Sequence, residues 1–349
     1  MPRGRTNQTQ TWVLDRRTLL GAAATGLTLA ACSESRASVA PTTTSPEATA
    51  SPSTSGVATP SASASTTTAG SPTATSPTKG STSAELPRGG ASIFPHYRLV
   101  GYCGHPGSSA LGLLGIGDLD QRVSELEAMS GAFSGDGRTM LPVLELIATV
   151  VHASPGADGT YRTRSSSDLI QRFVDAARRH RAYLLLNIQP GRADFLGEVQ
   201  AYESWLREPD VGVALDPEWA VGPGQVPGKV FGHVEAATLN AVGAYVSSIV
   251  AAHQLPEKVV LYHQLAPSIV GNEQQLQQHP GVVWVKSVDG IGSPGAKTAT
   301  WNRLVALTPQ PLVHLGFKVI LDEDRKPGPV MTPAQVMALT PVPEYVMYE

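Results

Sequence analysis

The sequence is poor in cysteine, with two in 349 residues, and these lie far apart at Cys32 and Cys103. This spacing excludes a disulfide-rich scaffold, which needs several cysteines close together in a short chain. Basic residues are not in excess either, since the chain carries 26 Lys and Arg against 29 Asp and Glu. Nucleic-acid binding needs a basic surface, so we expect no nucleic-acid partner.

Motifs that would indicate a cofactor or a metal are also missing. No Gly-x-Ser-x-Gly turn is present, which argues against a serine hydrolase of the α/β type. No two histidines have the His-x-His or His-x-x-x-His spacing typical of metal ligands. The segment Gly104-His105-Pro106-Gly107 lacks the glycine pattern of a dinucleotide-binding turn. We therefore expect neither a cofactor nor a metal.

Residues 1–32 have the composition of an export signal. They carry a net charge of +3, and the 14 residues from Thr18 to Ala31 are uncharged. A run of this length suits a signal peptide, whereas a transmembrane helix needs about 20 apolar residues. The pair Arg16-Arg17 resembles a twin-arginine signal. Asp15 stands where that signal usually has Ser or Thr, so general export is the alternative route.

The segment Leu29-Ala30-Ala31-Cys32 resembles a bacterial lipobox, and the polar Ser33-Glu34-Ser35 follows it. The resemblance implies that Cys32 is lipidated, for example with palmitate, and becomes the first mature residue. The acyl chains would then hold the protein at the extracytoplasmic face of the cell membrane without a transmembrane helix. The alternative is an ordinary cleaved signal in which the cysteine occurs by chance.

Residues 33–90 consist almost entirely of Ser, Thr, Ala, Pro and Gly, and they contain no aromatic residue. Such a chain cannot bury enough apolar surface to offset the entropy lost on ordering, so we expect a disordered linker. Coil scaling for about 58 residues gives a mean reach of roughly 40 Å. This linker would hold a folded domain away from the membrane, within reach of wall polymers.

Residues 91–349 carry 19 basic and 25 acidic residues and alternate short apolar runs with amphipathic stretches of helical spacing. This alternation predicts a parallel sheet, and eight runs in this length predict an α/β fold, the (β/α)₈ TIM barrel. An open doubly wound sheet is the alternative. No helix follows the last strand, so we expect residues before Arg98 to cover that gap. The predicted strands are 98–103, 141–151, 183–189, 211–218, 259–264, 282–289, 315–322 and 345–348.

Polar side chains gather near the C-terminal ends of the predicted strands, where catalysis takes place in this fold. Glu145, for example, interrupts an apolar run, and His263 lies near the end of the fifth strand. A barrel with a purely structural role does not need so many polar groups at one end. We expect the following residues to bind substrate: His105, Glu145, Gln189, Arg192, Trp219, His263 and Lys318.

Asp216 and Glu218 are the most informative pair, because residues two apart on a strand point to the same side. Neighbouring carboxylates repel each other as anions, so one of the two should keep its proton near neutral pH and be able to donate it. Cleavage of a glycosidic bond needs such a donor and a second group at the positive sugar centre. The alternative is that Asp216 caps the turn and Glu218 pairs with Arg192.

The segment Gly212–Trp219, which reads Gly-Val-Ala-Leu-Asp-Pro-Glu-Trp, resembles the Asp-x-Asp-x-Glu motif of chitinase-type family 18 glycoside hydrolases. The resemblance implies that Glu218 is the acid and that Asp216 orients an acetamido group of the substrate. Ala214 replaces the first Asp of the motif. More broadly, the leader, the linker, this segment and the final Tyr-Val-Met-Tyr-Glu resemble secreted actinobacterial lipoproteins with glycosidase-like barrels, which implies location and fold more than a reaction.

A retaining mechanism would pair the acid with a carboxylate nucleophile after the seventh strand. The chain there reads Asp322-Glu323-Asp324. If the strand stays regular, Asp322 and Asp324 share the face of Lys318, and we favour Asp322. The alternative is a solvated acidic loop. Asp289, after the sixth strand, is the other candidate for stabilising the positive sugar centre.

Together these features predict a monomeric, lipid-anchored hydrolase of cell-envelope or environmental glycans, with Glu218 as general acid. Asp216 would assist it, and Asp322 or Asp289 would stabilise the positive centre. The expected partners are a glycan and, through the anchor, the membrane. A non-catalytic glycan-binding lipoprotein is the first alternative, and a metal-dependent phosphodiesterase barrel is the second.

The substitution Cys32→Ser should abolish anchoring, because serine has no thiol that can be acylated. We expect the wild type, expressed in a bacterium that processes lipoproteins, to incorporate labelled palmitate and to enter the detergent phase of a phase-separating detergent. Cys32→Ser should stay in the aqueous phase, and Cys103→Ser should behave like the wild type. Equal labelling of the wild type and Cys32→Ser would contradict the prediction.

Overall fold

Eight parallel strands close into a barrel in the computed structural model of the protein, which describes residues 84–349. Each strand pairs with the next along the chain, and the last pairs with the first. This confirms the predicted TIM barrel. The export signal, Cys32 and most of the predicted linker lie outside the described residues. The strands are β1 (Tyr97–Gly104), β2 (Thr139–Val151), β3 (Tyr183–Ile188), β4 (Val211–Leu215), β5 (Lys258–Gln264), β6 (Val282–Val288), β7 (Val313–Val319) and β8 (Tyr345–Tyr348).

Helices connect most of the strands, but the connection from β5 to β6 contains 3₁₀ turns and no α-helix. A short strand, Arg162–Arg164, pairs antiparallel with the end of β2. Within residues 84–349, no helix is long and apolar enough to span a membrane. The helices are α1 (Leu119–Ser130), α2 (Ser167–Arg179), α3 (Phe195–Gln200), α4 (Glu203–Leu206), α5 (Ala236–His253), α6 (Pro294–Val305), α7 (Leu321–Asp324) and α8 (Pro333–Met337).

Alternation along the strands sorts the side chains into two layers. In β5, Val259 and Leu261 belong to the cluster inside the barrel, whereas Val260 and Tyr262 belong to the larger cluster beneath the helices. The same alternation directs His263 into the barrel. The opening of the barrel at the C-terminal ends of the strands is called the mouth. Residues at inward positions near these strand ends therefore determine which polar groups meet at the mouth.

The N-terminal end of the barrel is closed by residues 86–96. Leu86 and Ile93 are buried in the inner cluster. The backbone N–H of Ile93 donates to Glu257 Oε2 at 2.7 Å, and Tyr97 donates its hydroxyl proton to the carbonyl of Gly89 at 2.6 Å. Ordered packing thus includes residues that precede the expected domain start at residue 91.

Residues from the first βα unit cover the outer face of β8, where an eighth helix would lie. The ring of Tyr348 packs against Phe133, with centroids 6.4 Å apart, and against Tyr102, with centroids 6.5 Å apart. Phe133 belongs to the 3₁₀ turn that follows α1. The residues before Arg98, which we expected here, pack at the N-terminal end of the barrel instead.

Two strands end earlier than expected. The fourth predicted strand extended to Glu218, but β4 stops at Leu215, and the 3₁₀ helix Pro217–Trp219 follows. Proline has no backbone N–H and suits the first turn of a helix, which explains the change of direction. The seventh predicted strand extended to Asp322, but β7 stops at Val319 and α7 follows. Strand alternation therefore does not set the direction of Glu218 or Asp322.

Replacing Ile93→Ala should lower the free energy of unfolding by about 3 kcal/mol, because it leaves a cavity in the inner cluster. Ile93 has no exposed surface. Unfolding of the full chain in urea, monitored by circular dichroism, measures this free energy. The control Val342→Ala, at a side chain that is 41% exposed, should stay within about 0.5 kcal/mol of the wild type. If both variants match the wild type, residues 86–96 do not stabilise the barrel as described.

Candidate active site

The inner layer of the barrel becomes polar towards the C-terminal ends of the strands. Inward positions on five strands carry polar or charged side chains, each at most 1% exposed. Burial of so many polar groups requires that they satisfy one another. These residues are Glu145 on β2, Asn187 on β3, His263 on β5, Ser287 on β6 and Lys318 on β7.

His263 bridges two carboxylates. Its Nε2 lies 2.8 Å from Glu145 Oε1, and its Nδ1 lies 2.9 Å from Asp289 Oδ2. Burial alone would lower the pKa of His263, but Asp289 and Glu145 outweigh burial and raise its pKa to about 10. Burial would likewise raise the pKa of Glu145, yet the charge of His263 holds it below its ordinary value. His263 is therefore an imidazolium at neutral pH, and both of its nitrogens donate.

Lys318 extends this arrangement towards the rim. Its Nζ lies 3.4 Å from Asp289 Oδ2 and forms an ion pair with Glu349. Ser287 donates its hydroxyl proton to Asp289 Oδ1 at 2.7 Å. Negative and positive charges thus alternate across the barrel. We refer to Glu145, His263, Asp289, Lys318 and Glu349 as the charge row.

Glu145 ends the charge row on the β2 side, and it accepts hydrogen bonds from side chains on several strands. Asn187 Nδ2 lies 2.8 Å from Oε1, the oxygen that also accepts from His263. Tyr345 donates its hydroxyl proton to Oε2 at 3.2 Å. Burial raises the pKa of Tyr345 well above its usual value, so this hydroxyl stays protonated. Glu145 and His263, both expected to bind substrate, lie buried with their polar atoms engaged by protein.

Asp216 and Glu218 lie on the turn directly after β4, at the C-terminal rim of the barrel. Asp216 is 1% exposed and Glu218 is fully buried. Gln189 Nε2 donates to Asp216 Oδ2 at 3.3 Å, while Gln189 Oε1 accepts from the backbone N–H of Val151 at 3.2 Å. The carbonyl of Glu218 accepts from Gly232 N–H at 2.6 Å. Neighbouring loops thus fix both ends of this short turn.

Asp322 lies in α7, on the β7 side of the mouth. It lines a cavity of about 90 Å³ together with Glu323, Arg325 and Glu349. The N–H of Leu321 donates to the carbonyl of Glu349 at 2.9 Å, which ties α7 to the end of β8. The structure therefore places Asp322 beside the outer end of the charge row.

The side chains of Trp219 and Arg192 contact other parts of the protein in this structure. Trp219 is 1% exposed and packs against Val151 and Phe231, so its ring offers no open face to a sugar. The guanidinium of Arg192 donates to the carbonyl of Gln225 through Nε at 2.9 Å and Nη2 at 2.6 Å, and it lies 4.5 Å from the centroid of the Tyr161 ring. Arg192 thereby holds the loop that follows β4.

Ser287 and Tyr345 belong to the site but were missed by the reasoning from sequence. Ser287 has a simple signal, because it follows Val283 and Val285 at inward positions of β6. Tyr345 lies at the start of β8, away from the C-terminal strand ends where this fold places its catalytic groups. Its long side chain reaches Glu145 across the barrel interior, and no local pattern encodes that contact.

Among residues 84–349, no group of three or more His, Cys, Asp or Glu side chains is placed to hold a metal ion. In comparisons with known proteins, no family model matches this sequence, and no curated protein is significantly similar to it. The function must therefore be argued from the chemistry of the residues themselves.

We expect His263 to keep both ring protons at pH 8, because its pKa is raised to about 10 by Asp289 and Glu145 against the effect of burial. The stabilisation from this charge is complete below about pH 6.5 and is lost as the pH rises towards 10. NMR of ¹⁵N-labelled histidine, assigned with His263→Gln, measures the protonation. His105 is the internal comparison, since burial lowers its pKa. A neutral His263 ring at pH 8 would contradict the charge row.

Proposed function

We propose that this protein is a glycoside hydrolase in which Glu218 donates a proton to the oxygen of the leaving sugar. The observation that carries the proposal is the position of Glu218. It is a fully buried carboxyl group on the turn after β4, at the end of the barrel where this fold performs catalysis. A carboxyl group enclosed by protein keeps its proton more readily than one in water, as a proton donor requires.

Asp216 is the second group of the proposed mechanism. Cleavage of a glycosidic bond develops positive charge on the sugar ring, and a nearby carboxylate stabilises that charge or orients the substrate group that does so. Asp216 lies on the same turn as Glu218, and Gln189 holds one of its oxygens. This contact fixes the carboxylate relative to the proton donor.

Asp289 and Asp322 have different roles in the proposal. Asp289 accepts from Ser287 and contacts both His263 and Lys318, so its charge is already shared among three donors. A carboxylate in that environment is a poor nucleophile, and we assign it to fixed electrostatic support beneath the mouth. Asp322 follows β7, three strands around the barrel from β4, and remains the candidate for a retaining mechanism.

The proposed location is the outer face of the cell membrane. It rests on the lipobox-like segment that ends in Cys32 and on the low-complexity composition of residues 33–90. A tethered domain of this kind meets envelope polymers and environmental glycans, and these are the substrates we propose.

Incubation of the purified lipoprotein with a panel of envelope polysaccharides tests the proposal. The wild type should release reducing ends, and Glu218→Gln should lower kcat by about a hundredfold or more, because the amide cannot donate the required proton. The far-ultraviolet circular dichroism of the variant should match that of the wild type. The matched control is Glu125→Gln, on the outer helix α1, which should retain wild-type activity.

Three outcomes would contradict the proposal. Equal product from the wild type and Glu218→Gln would remove Glu218 from the mechanism. Binding of a polysaccharide without any product would favour a non-catalytic glycan-binding lipoprotein. Hydrolysis of a phosphodiester that stops on chelation of metal would favour the phosphodiesterase alternative.

A further inference from the structure

A second open cavity lies on the rim of the barrel, between the loop after β1 and the short strand Arg162–Arg164. Its volume is about 300 Å³, and among residues 84–349 no carboxylate lines it. This contrasts with the acidic character of residues 91–349 and with the carboxylates beside Asp322. Apolar side chains of Leu111, Val150 and Leu169 contribute to the wall. The polar side chains belong to His105, His152, Thr163, Arg164, Ser165 and Ser166.

His105 orients the hydroxyl group of Ser165 at this cavity. Its Nδ1 accepts from the backbone N–H of Gly107 at 2.9 Å. Burial lowers the pKa of His105, so the ring is neutral at pH 7, and its one proton resides on Nε2. Nε2 lies 3.3 Å from Ser165 Oγ, so the ring donates to the serine. This direction excludes His105 as a base that activates Ser165 as a nucleophile.

Arg164 offers a second donor. Its Nε and Nη2 both donate to the buried Glu198 at 2.8 Å, which leaves Nη1 on the other edge of the guanidinium. Arg162 donates to the same carboxylate at 2.8 Å and also pairs with Asp158 at 2.9 Å. Glu198 therefore fixes the plane of Arg164. The side chain of Arg164 remains 40% exposed, and Arg164 is one of the residues that line the cavity.

We propose that this cavity binds the oxyanion group of a ligand, either a phosphate or a carboxylate. The outer edge of Arg164 is one donor. The hydroxyl of Ser165 is the other, because it accepts from the imidazole N–H of His105 and can turn its own proton towards a ligand. Although Glu198 already pairs with one edge of Arg164, none of the described residues that line the cavity is a carboxylate, which suits an anion. Hydrogen bonds to a charged group are the strong ones. The apolar wall suits the carbon skeleton that carries such a group.

The cavity lies next to the proposed catalytic turn. Val151, whose neighbour His152 lines the cavity, donates its N–H to Gln189, and Gln189 donates to Asp216. Two hydrogen bonds, both through Gln189, thus connect the end of β2 beside the cavity to Asp216. If the proposed function is correct, a glycan cleaved at Glu218 extends an acidic substituent into this cavity. The substrate class would then be acidic glycans that carry uronic acid or phosphate groups.

Titration of the full chain with inorganic phosphate, and separately with glucuronate, tests the anion site independently of any activity. We expect a saturable NMR shift of the His105 ring with at least one of the two. His105→Gln and Arg164→Gln should each weaken binding about tenfold, because the first removes the ring that orients Ser165 and the second removes the charged guanidinium. In His105→Gln, which has no imidazole signal, binding is measured from the backbone amide of Gly107. The control is His180→Gln, directly after the C-terminal end of α2 and outside the cavity lining, which should bind like the wild type.

No saturable shift with either anion, or equal affinity in the wild type, His105→Gln and Arg164→Gln, would overturn the proposal. The anion that binds more tightly identifies the group as phosphate or carboxylate. Anion binding without glycan hydrolysis would contradict the proposed function but support the site. Hydrolysis of glycans by a protein that binds neither anion would support the proposed function but contradict the anion site.

Discussion

The charge row across the barrel is the constraint on which the candidate site depends. Charged groups are costly to bury, and they are stable inside a protein only when each meets an opposite charge and its remaining hydrogen bonds are satisfied. Here the imidazolium of His263 lies between Glu145 and Asp289, and Lys318 pairs with Asp289 in turn. Loss of one member leaves an uncompensated charge, at a cost of about 3–5 kcal/mol. The row therefore fixes β2, β5, β6 and β7 relative to one another.

The catalytic proposal uses this rigidity. Electrostatic catalysis requires charges that hold their position while the reaction proceeds. The charge row supplies fixed charges inside the barrel, and the turn after β4 places Asp216 and Glu218 at the same C-terminal end. Two parts of the rim also differ in the polar groups that they present. Carboxylates lie beside Asp322, whereas the cavity at His105 presents hydrogen-bond donors, so a bound chain with one acidic substituent would have a defined orientation.

Local patterns allowed the barrel to be predicted, because buried parallel strands appear as apolar runs and all eight runs became strands. The ends of β4 and β7 were wrong by a few residues, since Pro217 and the contact between Leu321 and Glu349 redirect the chain. The sequence did not allow us to predict which residues of the site contact one another. Glu145 and His263 are 118 positions apart, and only closure of the barrel brings them together. Burial of Trp219 likewise depends on distant packing partners.

The pH profile of kcat/KM for the polysaccharide that the wild type cleaves tests the central claim most directly. The claim is that Glu218 supplies the proton while the side chains of the charge row remain charged. It predicts that the wild-type rate falls on the alkaline side as Glu218 loses its proton, and that the residual rate of Glu218→Gln shows no such fall. The same alkaline fall in both proteins would show that another group donates the proton, and would contradict the account.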